Sequence, residues 1–343
     1  MCSAYTYTKR GILLTVFLVF YLSSSSQSYF SVLTYNCENA FDTIHDAGKD
    51  DYEFLPSGER SYSKYRMFRK LKGIMKVIAS ADADRPVDLI GLCEVENDTV
   101  LTYLTRKTAL SRVGYRYVMT DSEDNRGIDV ALLYSPFTFH LINYCSVRVD
   151  GLDKPTRDIL VASGTLFSGD TLDVMVCHLP SKLGGRNSDI RRLRVAEKLR
   201  SVADSLVSVR TNPNLVIMGD FNAEYTKSLF KDVMNVDILY SDNTKNSVSK
   251  HQLFDIVADK KEGTYKYKGE WSLIDHIIVS GNLVQGDNIY MNYHDCSILS
   301  PSFLLEDDNT YGGKKPFRTY IWKKYNGGYS DHLPVFVRFT VKD

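Results

Sequence analysis

Residues 214–222 read Asn-Leu-Val-Ile-Met-Gly-Asp-Phe-Asn, and this stretch decides the predicted fold. The four consecutive apolar residues from Leu215 to Met218 are typical of a strand that is buried on both faces. An acid, Asp220, stands where this strand ends. A carboxylate beside a buried strand is costly to desolvate unless a cation or several hydrogen-bond donors hold it. The stretch therefore predicts a central strand that ends in an acid with a functional role, Asp220.

The residues before this strand have the spacing of an amphipathic helix. Its apolar stripe consists of Ile190, Leu193, Ala196, Leu199, Ala203 and Leu206. The same order occurs earlier in the chain, where a helical stripe precedes an apolar run that begins at Asp88 and ends at the acid Glu94. That earlier stripe consists of Tyr65, Phe68, Leu71, Met75 and Ile78. Internal duplication and coincidence explain the repeat equally well. A duplication predicts two similar halves packed sheet on sheet, with helices outside and strand ends at one rim.

Short β-rich runs between turn residues complete the pattern. They are Val32–Tyr35, Asp88–Cys93, Tyr115–Met119, Ile128–Tyr134, Thr171–Cys177, Leu215–Met218, Leu273–Val279 and Leu333–Val341. Long surface loops are predicted for two polar segments that contain Gly or Pro, namely Asp42–Ser63 and Asn282–Tyr329. No Pro-, Gly- or Ser-rich linker divides the chain, so residues 29–343 are expected to form one domain.

The N-terminus is read as a signal peptide, residues 1–28. Lys9 and Arg10 precede an apolar run from Ile12 to Leu22, and small serines follow it. The run is shorter than the roughly 20 residues that span a bilayer. We therefore expect export to a secreted or periplasmic location, with no stable membrane span after cleavage; retention as an anchor is the alternative.

Composition excludes some classes of protein but does not identify a partner. The 343 residues are 43% hydrophobic and 24% charged, which argues against a disordered chain. The formal net charge is zero, and this neither supports nor excludes binding to nucleic acid, because phosphate binding needs only a local basic patch.

The chain has five cysteines after residue 28, and this odd number favours buried thiols over a disulfide framework. No obligate protein partner is evident.

Polar residues stand at or beside the predicted strand ends. They are Asn36, Glu94, His178, Asp220, Asp275, Asp331 and His332. Several acids at one rim suggest a shared cation, and oxygen ligands without paired thiols favour Mg²⁺, Mn²⁺ or Ca²⁺ over zinc.

Six segments then resemble, in order, the motifs of the endonuclease/exonuclease/phosphatase superfamily, whose members include pancreatic deoxyribonuclease. They are Thr-Tyr-Asn-Cys-Glu-Asn, Gly-Leu-Cys-Glu-Val-Glu-Asn, Cys-His-Leu-Pro-Ser-Lys, Met-Gly-Asp-Phe-Asn-Ala, Leu-Ile-Asp-His-Ile and Tyr-Ser-Asp-His-Leu-Pro-Val. The resemblance covers essentially the whole chain after residue 28. It implies a four-layered α/β sandwich, with two packed and mostly antiparallel sheets flanked by helices, and metal-assisted cleavage of phosphate esters.

The resemblance also implies a role for each residue. A divalent ion would be held by Glu94, with Asn36 and Asp331 close by. His332 would be the catalytic histidine, oriented by Asp275.

In the same way, Asp220 and Asn222 would position water and phosphate, and His178 would donate a hydrogen bond to a non-bridging oxygen or assist the leaving group. The identity of the general base stays undecided. A histidine with its usual pKa of about 6.5 is available as a base at pH 7, whereas Asp220 is better positioned but needs a raised pKa.

Other readings remain for several residues. Asn36 could cap a turn, Glu94 could form a surface ion pair, and His178 could be a structural core histidine. Glu96 is the expected decoy beside Glu94, and His276 is expected to face the other side of its strand from Asp275.

Three cations, Arg126, Lys182 and Arg186, are weaker candidates for phosphate binding and could equally be solvated loop charges. The residues from Arg318 to Trp322 could form a rim that stacks a base or sugar, although packing is the more ordinary use of such aromatics.

The expected function is that of an exported, divalent-metal-dependent phosphodiesterase, foremost an endonuclease that uses an activated water. Its partner would be nucleic acid or another phosphate ester. One alternative is a phosphatase or phospholipase C-type hydrolase of inositol phosphates or sphingomyelin. An alternative from another class is an inactive binding module on the same fold.

Overall fold

The structure is a computed structural model that describes residues 28–182, 185–240 and 248–342. The expected signal peptide, residues 1–28, lies outside the described residues except for Ser28, with which the first strand begins.

Two seven-stranded sheets and three hairpins account for the strands. The strands are β1 Ser28–Ala40, β2 Leu89–Val95, β3 Arg116–Met119, β4 Asp129–Tyr134, β5 Phe139–Val147, β6 Ile159–Leu166, β7 Thr171–His178, β8 Leu215–Asp220, β9 Val236–Ile238, β10 Leu253–Asp255, β11 Tyr265–Tyr267, β12 Glu270–Ser272, β13 Asp275–Ser280, β14 Ile289–Tyr290, β15 Cys296–Ile298, β16 Leu305–Asp307, β17 Lys314–Pro316, β18 Tyr320–Ile321, β19 Lys324–Tyr325 and β20 Val335–Val341. The first sheet has the order β14-β20-β1-β2-β4-β3, with β15 also paired to β20, and the second has the order β5-β6-β7-β8-β13-β10-β9. The hairpins are β11–β12, β16–β17 and β18–β19.

Helices flank the sheets. The α-helices are α1 Lys64–Ser80, α2 Asp98–Lys107, α3 Gly185–Ser208 and α4 Gly281–Gln285. Shorter turns are the π-helix Lys227–Val233 and the 3₁₀ segments Tyr52–Phe54, Ala109–Arg112, Tyr293–Asp295 and Ser302–Leu304.

The core has three apolar layers. Side chains such as Val130 and Val216 pack between the two sheets. Helix α1 buries Leu71 and Ile74 against the outer face of the first sheet, together with α2, and α3 covers the second sheet. The Ser63 side chain accepts a hydrogen bond from the Arg66 N–H and so caps the start of α1. The architecture is the expected four-layered α/β sandwich.

The repeat in the sequence corresponds to a repeat in the topology. Along β20-β1-β2-β4-β3 and along β6-β7-β8-β13-β10, successive pairs run antiparallel, parallel, antiparallel and antiparallel. The long helices α1 and α3 lie within the two parallel crossovers.

All eight predicted strands and both predicted helices are present, but the sequence analysis missed several elements. Strands β5 and β6 were missed, and so was α2, a helix of only ten residues. The prediction that Asn282–Tyr329 is a loop was wrong in detail, since it contains six strands of two or three residues, too short to show a periodic pattern.

Two observations concern cysteines and the membrane. Cys37, Cys93, Cys177 and Cys296 are buried free thiols, and Cys145 is an exposed one. Among the residues described, no helix has both the length and the apolar character required to cross a bilayer.

Candidate active site

The polar residues at the strand ends meet at one edge of the two sheets. Asn36 lies in β1, where the regular pairing of β1 with β2 ends, and its Nδ2 donates to the Asp220 Oδ2 at the end of β8 over 3.0 Å, which links the two sheets directly. The His178 Nε2 lies 3.5 Å from the same Asp220 oxygen and 3.9 Å from the Glu94 Oε1. Residues from both sheets therefore share one centre, as the sequence predicted.

Asp220 is buried and held at both of its oxygens. Its Oδ1 accepts a hydrogen bond of 2.8 Å from the Asn222 N–H. The Asn222 side chain in turn donates to the Leu179 carbonyl over 3.0 Å, and the Asn222 backbone has a φ of 50°. A non-glycine residue in this region is uncommon and often found at functional sites. The carboxylate is thus fixed in one orientation.

Gly219 is needed immediately before this acid. Its φ is 142°, and an added Cβ would lie 1.9 Å from the Cys177 carbonyl oxygen of the neighbouring strand. We expect Gly219→Ala to lower the free energy of unfolding by about 3 kcal/mol, from backbone strain and overpacking together. Gly169→Ala is the matched control, because Gly169 also has a positive φ (87°) but has no atom within 4 Å of an added Cβ. Urea unfolding of both variants measures the difference, and equal losses would contradict the clash.

His332 and Asp275 form a buried pair on the other side of Asp220. The His332 Nδ1 lies 2.7 Å from the Asp275 Oδ2, and its Nε2 faces the Asp220 Oδ2 at 3.8 Å. The Ser330 hydroxyl accepts from the His332 N–H and donates to the Asn36 carbonyl. The Thr264 hydroxyl accepts from the Asp275 N–H over 3.3 Å. These contacts fix the imidazole between two carboxylates.

The electrostatics of these groups differ from those of the free side chains. Burial, with the nearby Asp275, raises the pKa of Asp220 to about 7, although His332 opposes the shift. Burial lowers the pKa of His332, but Asp275, Asp220 and Asp331 outweigh it, and the pKa ends well above its usual value. The raised pKa favours the protonated form of His332, so the condition under which His332 would serve as the base, an ordinary pKa, is not met.

His178 is the uncharged histidine of the site. Burial, and then the charges of Arg157 and Arg126, hold its pKa well below the usual value. Its Nδ1 is buried without a hydrogen-bond partner among the described residues, so it is not a satisfied core histidine. The Nε2 faces the Asp220 and Glu94 carboxylates at 3.5 and 3.9 Å, which favours the tautomer with the proton on Nε2.

Glu94 occupies a bulge near the end of β2. Cys93 pairs with Val130 and Val95 with Asp129, which leaves Glu94 as the extra residue, with a φ of 62°. A bulge of this kind re-aims a side chain. Here the Glu94 Oε2 accepts from the Asn39 N–H over 2.9 Å, while its Oε1 faces His178.

Glu96, the expected decoy, takes no part in this centre. Its carboxylate accepts from the Asp42 N–H, in a separate group of loop acids.

Asp331 is held by partners that the sequence analysis missed. The Arg318 Nη2 donates to the Asp331 Oδ2 over 2.8 Å, and the Arg318 Nε donates to the buried Glu38 over 3.2 Å. The buried Lys70 Nζ lies 3.9 Å from Glu38 and donates to the Tyr329 carbonyl. Burial opposes ionisation of Asp331, but Arg318, His332 and Lys70 together lower its pKa below the usual value. Its Oδ1, 4.0 Å from the His332 Nε2, is left for another ligand.

The donor set fits a hard divalent cation. Five carboxylates, Glu38, Glu94, Asp220, Asp275 and Asp331, face Lys70, Arg126 and Arg318, and among the described residues no Lys or Arg nitrogen lies closer than 3.9 Å to Glu94. Asp220, Asp275 and His332 also have one ligand atom each within 4.8 Å of one another. His332 and Asp275 of this group already bond to each other, whereas the Glu94 carboxylate offers oxygens, the ligands that a hard cation prefers.

Of the three phosphate-binding candidates, Arg126 contacts residues of the site. Its Nη2 bonds to the Asn39 side chain and lies 3.9 Å from the Glu94 Oε2. Lys182 and Arg186 are exposed on either side of residues 183–184, which lie outside the described range, and neither forms an ion pair with a described acid.

Two further expectations have clear outcomes. His276 bonds to Asp255 at 2.7 Å and to the Ala223 carbonyl, so it is structural, as expected. Within the proposed rim, Tyr320 packs beside Tyr62 and Tyr325, whereas Trp322 is 89% exposed.

Comparisons with known proteins agree with this geometry. A sequence model described as "Endonuclease/Exonuclease/phosphatase family" matches residues 31–341. Nocturnin of Xenopus laevis is 28% identical over 155 residues, and this match covers 42% of the chain and 38% of nocturnin, so the chain spans about two fifths of that relative's length.

Two solved structures share the fold. TDP2 of D. rerio, solved with a single-strand DNA product, has a TM-score of 0.55 at 13% identity, with 91% of this chain and 99% of that chain covered. A mannosyl-6-phosphatase of Bacteroides thetaiotaomicron has a TM-score of 0.54 at 17% identity, with 90% and 99% covered. The chain therefore belongs to the endonuclease/exonuclease/phosphatase family.

Proposed function

We propose that the protein is an exported, divalent-metal-dependent endonuclease that hydrolyses phosphodiester bonds of nucleic acid with an activated water. One observation carries the proposal: the Asp220 Oδ2 is surrounded by the Asn36 Nδ2, the His178 Nε2 and the His332 Nε2, at 3.0, 3.5 and 3.8 Å. An acid in this position can orient a water beside a phosphate that the surrounding N–H groups bind.

Each residue then has a role. Asp220 accepts the proton of the attacking water as the new P–O bond forms, because it lies at the centre of the site and Asn222 fixes its other oxygen. The P–O bond to the leaving oxygen breaks, and that oxygen takes a proton from solvent. His332, held by Asp275, donates a hydrogen bond to the phosphate, and His178 binds a non-bridging oxygen from the opposite side. Arg126 binds the phosphate from the solvent side.

Glu94 would hold the divalent ion, with Asn36 and Asp331 as the further candidates. When bound, a Mg²⁺ or Mn²⁺ ion polarises a phosphoryl oxygen and neutralises developing charge. Ca²⁺ also prefers such oxygen ligands. The excess of carboxylates over permanent cations at the site supports this assignment.

Phosphomonoester hydrolysis is the second candidate, because the mannosyl-6-phosphatase shares the fold. A similar site could serve inositol phosphates or sphingomyelin. The inactive binding module is disfavoured by the complete set of acids and histidines at the centre.

The assay that tests the function offers the protein plasmid DNA, single-stranded DNA, RNA, mannose 6-phosphate, inositol phosphates and sphingomyelin. Each substrate is tested with Mg²⁺, Mn²⁺ or Ca²⁺ and again with excess chelator. We expect nicking of plasmid DNA, lost in chelator by at least about 10³-fold and restored by Mg²⁺ or Mn²⁺. Faster cleavage of a monoester or lipid would replace the nuclease proposal, and an unchanged rate in chelator would overturn metal dependence.

Export is supported only by the N-terminal sequence pattern. Fractionation of cells that express the full chain, with N-terminal sequencing of the product, tests it. A product in the exported fraction that begins near residue 29 is expected, whereas an intact N-terminus in the cytoplasmic fraction would contradict export.

A further inference from the structure

The β11–β12 hairpin begins directly at the catalytic histidine. Tyr265 and His332 form an isolated antiparallel bridge, and their rings lie 5.1 Å apart between centroids. At the root of the hairpin, the Leu333 N–H donates to the Thr264 carbonyl, and the Thr264 hydroxyl accepts from the Asp275 N–H. The hairpin is thus tied to both members of the His332–Asp275 pair.

The back of this hairpin is braced against the rest of the protein. The Lys266 side chain is only 5% exposed, forms an ion pair of 3.0 Å with Asp308, and donates to the Gly312 and Lys314 carbonyls. At the tip, Lys268 and Gly269 both have positive φ, the conformation of a tight two-residue turn. These contacts hold the hairpin in one position relative to the rest of the protein.

The front of the hairpin carries two aromatic rings. Side chains alternate along a strand, so Tyr265 and Tyr267 face away from the braced Lys266. Tyr265 lies against His332, whereas Tyr267 is 58% exposed, and the Lys268 ammonium is 5.4 Å from its ring centroid. An aromatic surface with a cation at its end therefore extends outward from the catalytic histidine.

The Tyr265 hydroxyl remains available to a ligand. Burial and the nearby Asp331 raise the pKa of Tyr265 to about 12, so the hydroxyl keeps its proton at neutral pH. Among the described residues it has no recorded hydrogen-bond partner. A ligand atom beside the phosphate would satisfy it.

We propose that Tyr265 and Tyr267 form a stacking subsite for a planar aromatic ring, such as a nucleobase, carried by the phosphate ester in the active site. The inference rests on the proposed function and makes it more specific, since it names an aromatic group next to the reacting phosphate. Exposed aromatic rings beside a cation bind nucleobases by stacking, without hydrogen bonds that distinguish one base from another.

Equilibrium binding tests the subsite without requiring turnover. The probes are adenosine 5′-monophosphate and ribose 5-phosphate, which share sugar and phosphate and differ in the ring. Both are titrated by calorimetry into Asp220→Asn protein, or into wild-type protein in excess chelator if that variant does not fold. We expect adenosine 5′-monophosphate to bind about tenfold more tightly, and Tyr267→Ala to remove about that factor.

Tyr144→Ala is the matched control, because Tyr144 lies on the edge strand β5 and is 53% exposed. It should retain the ratio of the two dissociation constants. Equal binding of the two probes, an unchanged ratio in Tyr267→Ala, or an equal loss for both probes would overturn the subsite. If mannose 6-phosphate binds more tightly than adenosine 5′-monophosphate, and this binding depends on Tyr267, then the subsite binds a sugar ring and not a nucleobase. Failure of the proposed function appears instead as an absence of hydrolysis, which leaves these binding ratios unaffected.

Discussion

Asp220→Asn is expected to lower kcat by about 10³-fold or more while the protein stays folded. The substitution keeps the size of the side chain but removes its capacity to accept a proton, and a positioned general base contributes about 10²–10⁴-fold. The loss should be at the upper end of this range, because an amide changes the contacts of the side chain as well. The Asn36 Nδ2 and the His178 Nε2 both face one oxygen of the Asp220 carboxylate, and an amide NH₂ group in that place could not accept a hydrogen bond from them.

Steady-state kinetics on the ester that the wild-type protein cleaves fastest measures this loss. Asp255→Asn is the control, since Asp255 is equally buried in the same sheet but bonds the structural His276. It should affect thermal stability more than kcat. A loss of less than tenfold in Asp220→Asn would show that another group takes the proton.

Glu94→Gln is expected to lower kcat/KM by about 10³-fold and to weaken metal binding. The neutral amide cannot supply the charge that a divalent ion requires from its ligands, and the bulge that places Glu94 at the site is unchanged by the substitution. Titration with Mn²⁺, followed by its paramagnetic resonance, measures ion binding separately from turnover.

The neighbouring Glu96→Gln is the control for this experiment. Glu96 is buried two residues away and bonds the Asp42 N–H outside the centre. It should leave Mn²⁺ affinity within a few-fold of wild type. Equal Mn²⁺ affinity in Glu94→Gln and wild type would place the ion on other ligands, such as Asp220 and Asp275.

The sequence was sufficient for the residues that end apolar strands. Glu94, His178 and Asp220 follow continuous hydrophobic runs, and parallel neighbours in a sheet bring such ends to one edge. The pattern therefore predicted two packed sheets whose polar strand-end residues lie close together.

The supporting residues could not be found in this way. Arg318 was predicted only as part of a stacking rim, Lys70 has no local pattern that points to the site, and the Lys70 bond to Thr319 spans 249 residues of sequence. Likewise, β5 is largely exposed and lacks an alternating apolar face. The altered pKa values of Asp220 and His332 also depend on which charges folding brings together.

The matching order of strand directions in the two sheets has one more consequence. Strands β2 and β8 occupy the same place in the two matching strand orders, so Glu94 and Asp220 stand near corresponding strand ends. The equivalence breaks at a single inserted residue, because the end of β8 stays in register with β13 whereas the end of β2 does not. The two acids therefore have unequal surroundings, and this asymmetry agrees with the proposed division of the pocket, with ion binding at Glu94 and proton transfer at Asp220.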